Sequence, residues 1–194
     1  MKFRIIAAGD AAWLIELPER LDAEVNERAI EIAGAVKRAA FPDVTDIVVG
    51  YRSVMVYVDP LSAHRDATRA ALETIAGQPA TREVGTGRNV EVPVCYGGEY
   101  GPDLAELATF ARCSSEDVVE RHLEREYRVY VVGFVPGFAY MAPVDPRIAA
   151  PRRSSPRLKV PAGSVAVAAG QTGIYPSETP GGWHLIGRTP VKPY

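Results

Sequence analysis

Between Arg147 and Lys159 the chain places five basic residues, Arg147, Arg152, Arg153, Arg157 and Lys159, with no acid among them. Pro151 precedes Arg152 and Pro156 precedes Arg157, so the backbone that carries these guanidiniums is stiffened at two points. A stiff carrier loses less conformational entropy when its side chain engages a ligand. Guanidinium matches carboxylate and phosphate oxygens in bidentate fashion, and each charge-assisted hydrogen bond contributes about 1.5–3 kcal/mol. The residue types therefore suit anion binding, with Arg152, Arg153 and Arg157 as the candidates. The same run would also serve as a solvated basic loop, or pair with acids elsewhere in the chain or on a partner.

Two neighbouring segments have compatible chemistry. Gly133-Phe-Val-Pro-Gly-Phe-Ala-Tyr-Met141 gathers Phe134, Pro136, Gly137, Phe138 and Tyr140 at a strand end. Glycine there permits close backbone approach, and a turn of exposed N–H groups can hold an anion or oxyanion. A tight loop packed by its own aromatics is the plainer alternative. From Ala168 to Pro190, Gln171, Thr172 and Tyr175 offer neutral donors and acceptors, and Glu178 is the neighbourhood's carboxylate. Gly181-Gly182 ahead of Trp183 suits a loop that admits a small flat ligand, or a hairpin whose Trp183 fills the core.

Other chemistries are absent from the sequence. It contains no GxxxxGK phosphate loop, no HExxH helix and no GxSxG elbow. Gly85-Thr-Gly87 lacks the third glycine and following helix of a nucleotide fingerprint. His64, His122 and His184 have no metal-ligand spacing, so no metal site is expected. Cys95 and Cys113 form no CxxC and read as buried, reduced thiols. The opening MKFRIIAAGD meets Asp10 and Glu16 too early for a signal sequence, and no apolar run approaches the roughly 20 residues of a membrane span, so a cytoplasmic setting is expected.

The 194 residues are 47% apolar and 24% charged, room for two modest domains. A net charge of −2 gives no overall field that would attract nucleic acid or an anionic membrane. The charge is uneven, however: Gly133–Tyr194 holds seven Arg or Lys against two acids. Upstream, hairpins are expected at Phe3–Leu17, around Gly9-Asp10, and at Asp46–Asp59, where Val54, Val56 and Val58 alternate with Met55 and Tyr57. Helical spacing over Asp22–Ala39 and from Pro60 to Gly77, with Leu61, Thr68, Leu72 and Ile75 inward, completes a β-β-α-β-β-α unit over residues 1–80. The aperiodic stretch Gln78–Asn89 marks the boundary. Beyond it we expect a strand at Val90–Tyr96, helices starting at Asp103-x-x-Glu106 and Ser114-x-x-Asp117, and a strand at Tyr127–Phe134. Glycine and proline density after Gly133 then favours strands and ordered loops.

Taken in succession, GFVPGFAYM and PRRSSPRLKVPAGSVAVAAGQTGIYPSETPGGWHLIGRTP closely resemble the family of the 5-oxoprolinase B subunit, allophanate hydrolase subunit 1 and the kinase inhibitor KipI. This family is also described as carboxyltransferase subdomains C and D. His122 and Tyr127-Arg-Val-Tyr130 fit the same pattern, while Ala142-Pro143 and Ala168-Ala169-Gly170 depart from it where glycine pairs are common. The resemblance implies an α+β N-terminal domain followed by a cyclophilin-like closed β-barrel over residues 88–194, ending short of the family's further strand. It implies a subunit 2 partner (the 5-oxoprolinase C subunit or allophanate hydrolase subunit 2) and a third partner of barrel type, the A subunit. The implied activity is ATP- and magnesium-dependent opening of a cyclic amide, 5-oxoproline, by the assembled complex, the chain alone being inactive. A KipI-like inhibitor, or an allophanate hydrolase or biotin-dependent urea carboxylase component, is the alternative. The chemistry it implies needs cations for phosphates and a carboxylate and donors for an oxyanion, roles we expect of Arg152, Arg153 and Arg157 for the anions and of Gln171, Thr172 and Tyr175 for the amide. The backbones of Gly137, Gly181 and Gly182 would approach the substrate, and His122 would be either a proton carrier or a buried structural histidine. Phe134, Pro136, Tyr140, Glu178 and Trp183 complete the candidate site.

Overall fold

In the computed structural model residues 1–20, 22–80 and 87–192 are described. The chain divides into two units, Met1–Arg88 and Asn89–Tyr194.

The first unit runs β1 (Arg4–Ala7), β2 (Ala12–Glu16), α1 (Ala23–Ala39), β3 (Val44–Val49), β4 (Ser53–Val58) and α2 (Arg65–Gly77), in the order the sequence leads one to expect. Its antiparallel sheet is ordered β1-β2-β4-β3. The period-2 pattern of β4 sends Val54, Val56 and Val58 into a core with Ile15, Val25, Ile32 and Leu72. Asp22 caps α1 by accepting from the Glu24 N–H at 2.8 Å. α2 begins at Arg65, later than the expected start at Pro60, and Leu61 is 92% exposed, not inward. The cause is local: the Asp59 carboxylate accepts the Leu61 N–H (2.9 Å) and the Ser62 hydroxyl accepts that of His64 (3.1 Å), which turns the chain before the helix can start.

The second unit starts with less strand than expected. Of Val90–Tyr96 only β5 (Cys95–Tyr96) pairs, and Pro93 supplies no N–H to a ladder. Cys95 is exposed and Cys113 half-buried, so neither is the core thiol expected of it, although both are free. α3 (Leu104–Ala111) and α4 (Ser115–Leu123) follow, then β6 (Arg128–Val132), β7 (Ala139–Ala142), β8 (Arg157–Val160), β9 (Ser164–Ala168), β10 (Gln171–Ile174), β11 (Thr179–Gly181) and β12 (His184–Arg188). A short 3-10 turn spans Pro146–Ile148. α4 opens on a complete capping box between Ser114 and Asp117. Asp103 precedes α3 but does not cap it with its side chain.

Strands β5-β12-β9-β10-β7-β6 form one antiparallel sheet, and β11-β8 form a separate ribbon. Alternation along β9 gives the sheet two dressed faces. Val165 and Val167 pack with Leu104, Leu107, Ala108 and Val118 of the two helices. Ala166 and Ala168 face the other way, packing with Val160 of the ribbon and with Phe138, Tyr175, Trp183 and Leu185. Among the described residues these pairings do not close into a ring, so the closed barrel expected from the sequence is not seen in them; the sheet is faced by helices on one side and the ribbon on the other.

Candidate anion-binding cavity

On the ribbon face the aromatic side chains meet around Phe138. Its ring lies edge-on to Tyr140 (4.8 Å between centroids), Tyr175 (5.1 Å), Trp183 (5.5 Å) and Phe134 (5.7 Å). Such pairs contribute about 0.5–1.5 kcal/mol each beyond their buried area. The turn from Gly133 to Phe138 places Phe134 and Phe138, with Gly137 at φ +84° and the Gly133 N–H donating to the Phe138 carbonyl at 3.1 Å. Phe134 itself sits at φ +67° and remains 59% exposed at the rim.

These rings line an open cavity of about 240 Å³, completed by Arg152, Pro156, Pro180, Gly181 and Gly182. Gly181 is needed there: a Cβ at this position would stand 2.3 Å from the Tyr175 hydroxyl oxygen. The Tyr175 phenol accepts a hydrogen bond from the Trp183 backbone and feels the charges of Arg152 and Arg157, but burial dominates and raises its pKa.

The five basic residues divide sharply. Arg147 chelates Asp145 (Nε–Oδ1 3.0 Å, Nη2–Oδ2 2.7 Å), and its guanidinium holds that carboxyl well below the usual range. Arg157 grips both oxygens of Asp103 at 2.8 and 2.7 Å, and Arg153 donates to Asp103 (2.8 Å) and Glu106 (2.7 Å). Lys159 lies 3.4 Å from Glu178. Arg152 alone makes no ion pair with a described residue, and it lines the cavity. Arg153 and Arg157, expected to bind external anions, instead have internal carboxylates as partners.

His122 and Thr172 lie on the helix face, across the sheet from the cavity. The Thr172 hydroxyl donates to the Ala166 carbonyl (3.0 Å), so it accepts from His122 Nε2 (2.9 Å). His122 Nδ1 then accepts the Tyr96 hydroxyl (2.8 Å). Burial lowers the His122 pKa to about 4 and raises that of Tyr96 to about 12. A neutral imidazole with both nitrogens engaged serves as a structural link, the second of the two roles the sequence leaves open for it. Gln171 starts β10 and does not line the cavity. Pro136 and Gly137 shape the turn without lining it, and Glu178 is exposed beside Lys159. The structure thus brings together Phe134, Tyr140, Arg152, Tyr175, Gly181, Gly182 and Trp183 from the expected set. Phe138 is visible in the sequence only as packing, Pro156 only as a stiffener of the backbone before Arg157, and Pro180 carries no signal. Asp103 is hidden because its context reads as a helix start.

A larger cavity, about 950 Å³, runs beside α3 and α4, but Glu116, Glu120 and Glu124 line it and no cation does. Among the described residues no group of three His, Cys, Asp or Glu is placed to hold a metal, and no helix is long and apolar enough to cross a membrane. A magnesium-bound nucleoside triphosphate does not fit the aromatic cavity, which offers about 240 Å³ and one uncompensated cation.

The described residues thus form an α+β chain whose two-faced sheet carries an aromatic-lined cavity with Arg152 at its wall. The chain belongs to the carboxyltransferase domain, subdomain C and D, family, whose match covers residues 3–194. It is 39% identical to the 5-oxoprolinase B subunit of Bacillus subtilis over 202 residues, 98% of this chain and 84% of that protein. The crystal structure of TTHA0988 superposes with a TM-score of 0.78 at 38% identity, covering 94% of this chain and 35% of the other, so this chain spans about a third of that protein's length. The urea amidolyase of K. lactis shares the fold alone, with a TM-score of 0.77 at 20% identity over 96% of this chain and 13% of that one.

Proposed function

We propose that this chain is the substrate-holding subunit of a 5-oxoprolinase-type hydrolase, which converts 5-oxoproline, ATP and water to glutamate, ADP and phosphate. The observation that carries this reading is the lone uncompensated Arg152 at an aromatic cavity sized for a small ring. Its support from relatives is their name, which makes them the B subunit of 5-oxoprolinase.

The substrate is a flat five-membered lactam with one carboxylate. Arg152 takes the carboxylate in a bidentate pair, and Phe138, Tyr140 and Trp183 pack the ring. The Tyr175 hydroxyl, which already accepts from the Trp183 N–H, has its own hydrogen left to donate to the lactam oxygen. Gly181, whose backbone lies against that phenol, lets the substrate come close. A lactam carbonyl is a poor electrophile, and transfer of a phosphoryl group to its oxygen would activate it for ring opening by water. The nucleotide and its magnesium belong on a partner, the subunit 2 homologue, and a third component completes the assembly in the cytoplasm.

The test is 5-oxoproline-dependent ATP hydrolysis by the reconstituted complex. Arg152→Gln should reduce kcat/KM at least about tenfold, the loss of one charge-assisted pair. Activity within twofold of the unaltered complex would sink the reading.

A further inference from the structure

We infer that Asp103 sets the charge the cavity presents, and so restricts its ligands to singly charged carboxylates over phosphates. This rests on the cavity of the proposed function being the binding site, and extends it to what that site rejects.

Asp103 is 3% exposed, and its carboxylate receives four donors: Arg153 Nη1, Arg157 Nη1 and Nη2, and the Leu185 N–H at 2.8 Å. A carboxylate so saturated has no capacity left for a ligand and serves wholly as an internal counter-ion. With Glu106 also bound to Arg153, two cations face two anions, and this cluster is neutral. The neutralised residues flank the one that is not. Arg152 precedes Arg153, and the Arg153 N–H donates to the Gly182 carbonyl (2.8 Å) at the cavity wall. The Pro151 carbonyl accepts from His184 Nε2 at 2.9 Å, so the loop is fixed on both sides of Arg152.

Without the Asp103 charge, Arg157, paired across the ribbon with Gly181 of the cavity wall, would add a second positive charge near the site. Phosphate dianions gain from each added charge about twice what a monocarboxylate gains. Asp103 therefore acts through the arginines as a specificity-determining, positioning residue, touching no ligand itself. The site that accepts the carboxylate discriminates against the phosphates of a nucleotide, which must then be held by other groups.

The experiment is isothermal titration of the full chain with three probes: 5-oxoproline, pyrrole-2-carboxylate and inorganic phosphate. Wild type should bind the monocarboxylates and discriminate against phosphate. Asp103→Asn should move the phosphate-to-carboxylate affinity ratio about tenfold toward phosphate, the scale of one added charge near the site. Arg157→Gln leaves Asp103 undercompensated and should move the ratio the opposite way. Structural damage alone would weaken all probes together in both variants. A ratio unchanged, or shifted the same way in both, overturns the inference, and if Asp103→Asn does not fold, the direction for Arg157→Gln decides. Should pyrrole-2-carboxylate bind and 5-oxoproline fail to, the lactam substrate falls while the charge selection stands. Should 5-oxoproline bind with no ratio change, the reverse holds. Binding of no monocarboxylate overturns both.

Discussion

The Nε2 of His122 lies 2.9 Å from the Thr172 hydroxyl, a bond that ties α4 to β10 from the side of the sheet opposite the aromatic cavity. Because Thr172 donates onward to Ala166, Nε2 carries the hydrogen, and Nδ1, which accepts the Tyr96 hydroxyl, carries none, so the imidazole is neutral.

This linkage has a pH signature. The folded pKa of about 4 lies below the ordinary 6.5, so between these values the unfolded chain takes up a proton that the native one refuses. The contribution is full above pH 6.5 and is lost as pH falls toward 4. Between pH 7 and pH 5 the chain should lose about 2 kcal/mol more stability than His122→Gln, measured by urea unfolding at each pH. Parallel profiles for the two proteins would contradict the buried neutral histidine.

Gly181 and Gly182 should respond differently to the same change. Alanine at Gly181 drives its Cβ into the Tyr175 phenol at 2.3 Å, whereas at Gly182 the nearest atom is Pro156 Cβ at 3.7 Å. Gly181→Ala should cost about 1–3 kcal/mol and abolish cavity binding, and Gly182→Ala should leave the thermal midpoint nearly unchanged.

The Lys159–Glu178 pair is exposed on both sides, with 80% and 58% of the side chains accessible. Glu178→Gln should therefore change stability by less than about 1 kcal/mol and leave 5-oxoproline affinity within twofold. A tenfold loss by titration calorimetry would return Glu178 to the site.

In the first unit Leu72 is fully buried between α2 and the sheet. Leu72→Ala should lower unfolding free energy by about 2–5 kcal/mol, read as a drop in the denaturant midpoint.

Much of the fold is legible in the sequence because its signals are local. The alternation of Val54, Val56 and Val58 and the helical spacing of Val25, Ala29, Ile32 and Val36 report burial within a few residues. The start of α2 escapes such reading because side chains of Asp59 and Ser62 engage the first N–H groups in turns, a competition that periodicity does not register. At the site, composition points to the right segments: Phe134, Tyr140, Arg152, Tyr175, Gly181, Gly182 and Trp183 share one cavity. What composition hides is charge pairing. Arg152, Arg153 and Arg157 look alike in sequence, and only the arrival of Asp103 and Glu106 from a distant helix distinguishes them. His122 and Thr172 fall in with the site on paper because a sequence does not say which face of a sheet a side chain takes.

Asp103 and Arg157 are separated by 54 positions along the chain. Their contact cannot form early or locally, since closing so long a loop comes before any reward from the ion pair. A nascent or proteolysed fragment ending before Arg152 would carry the acid without either of its cations and would lack the guanidinium that lines the cavity. If the cavity holds the proposed ligand, its capture would report that both segments of this ion pair have been made and brought together.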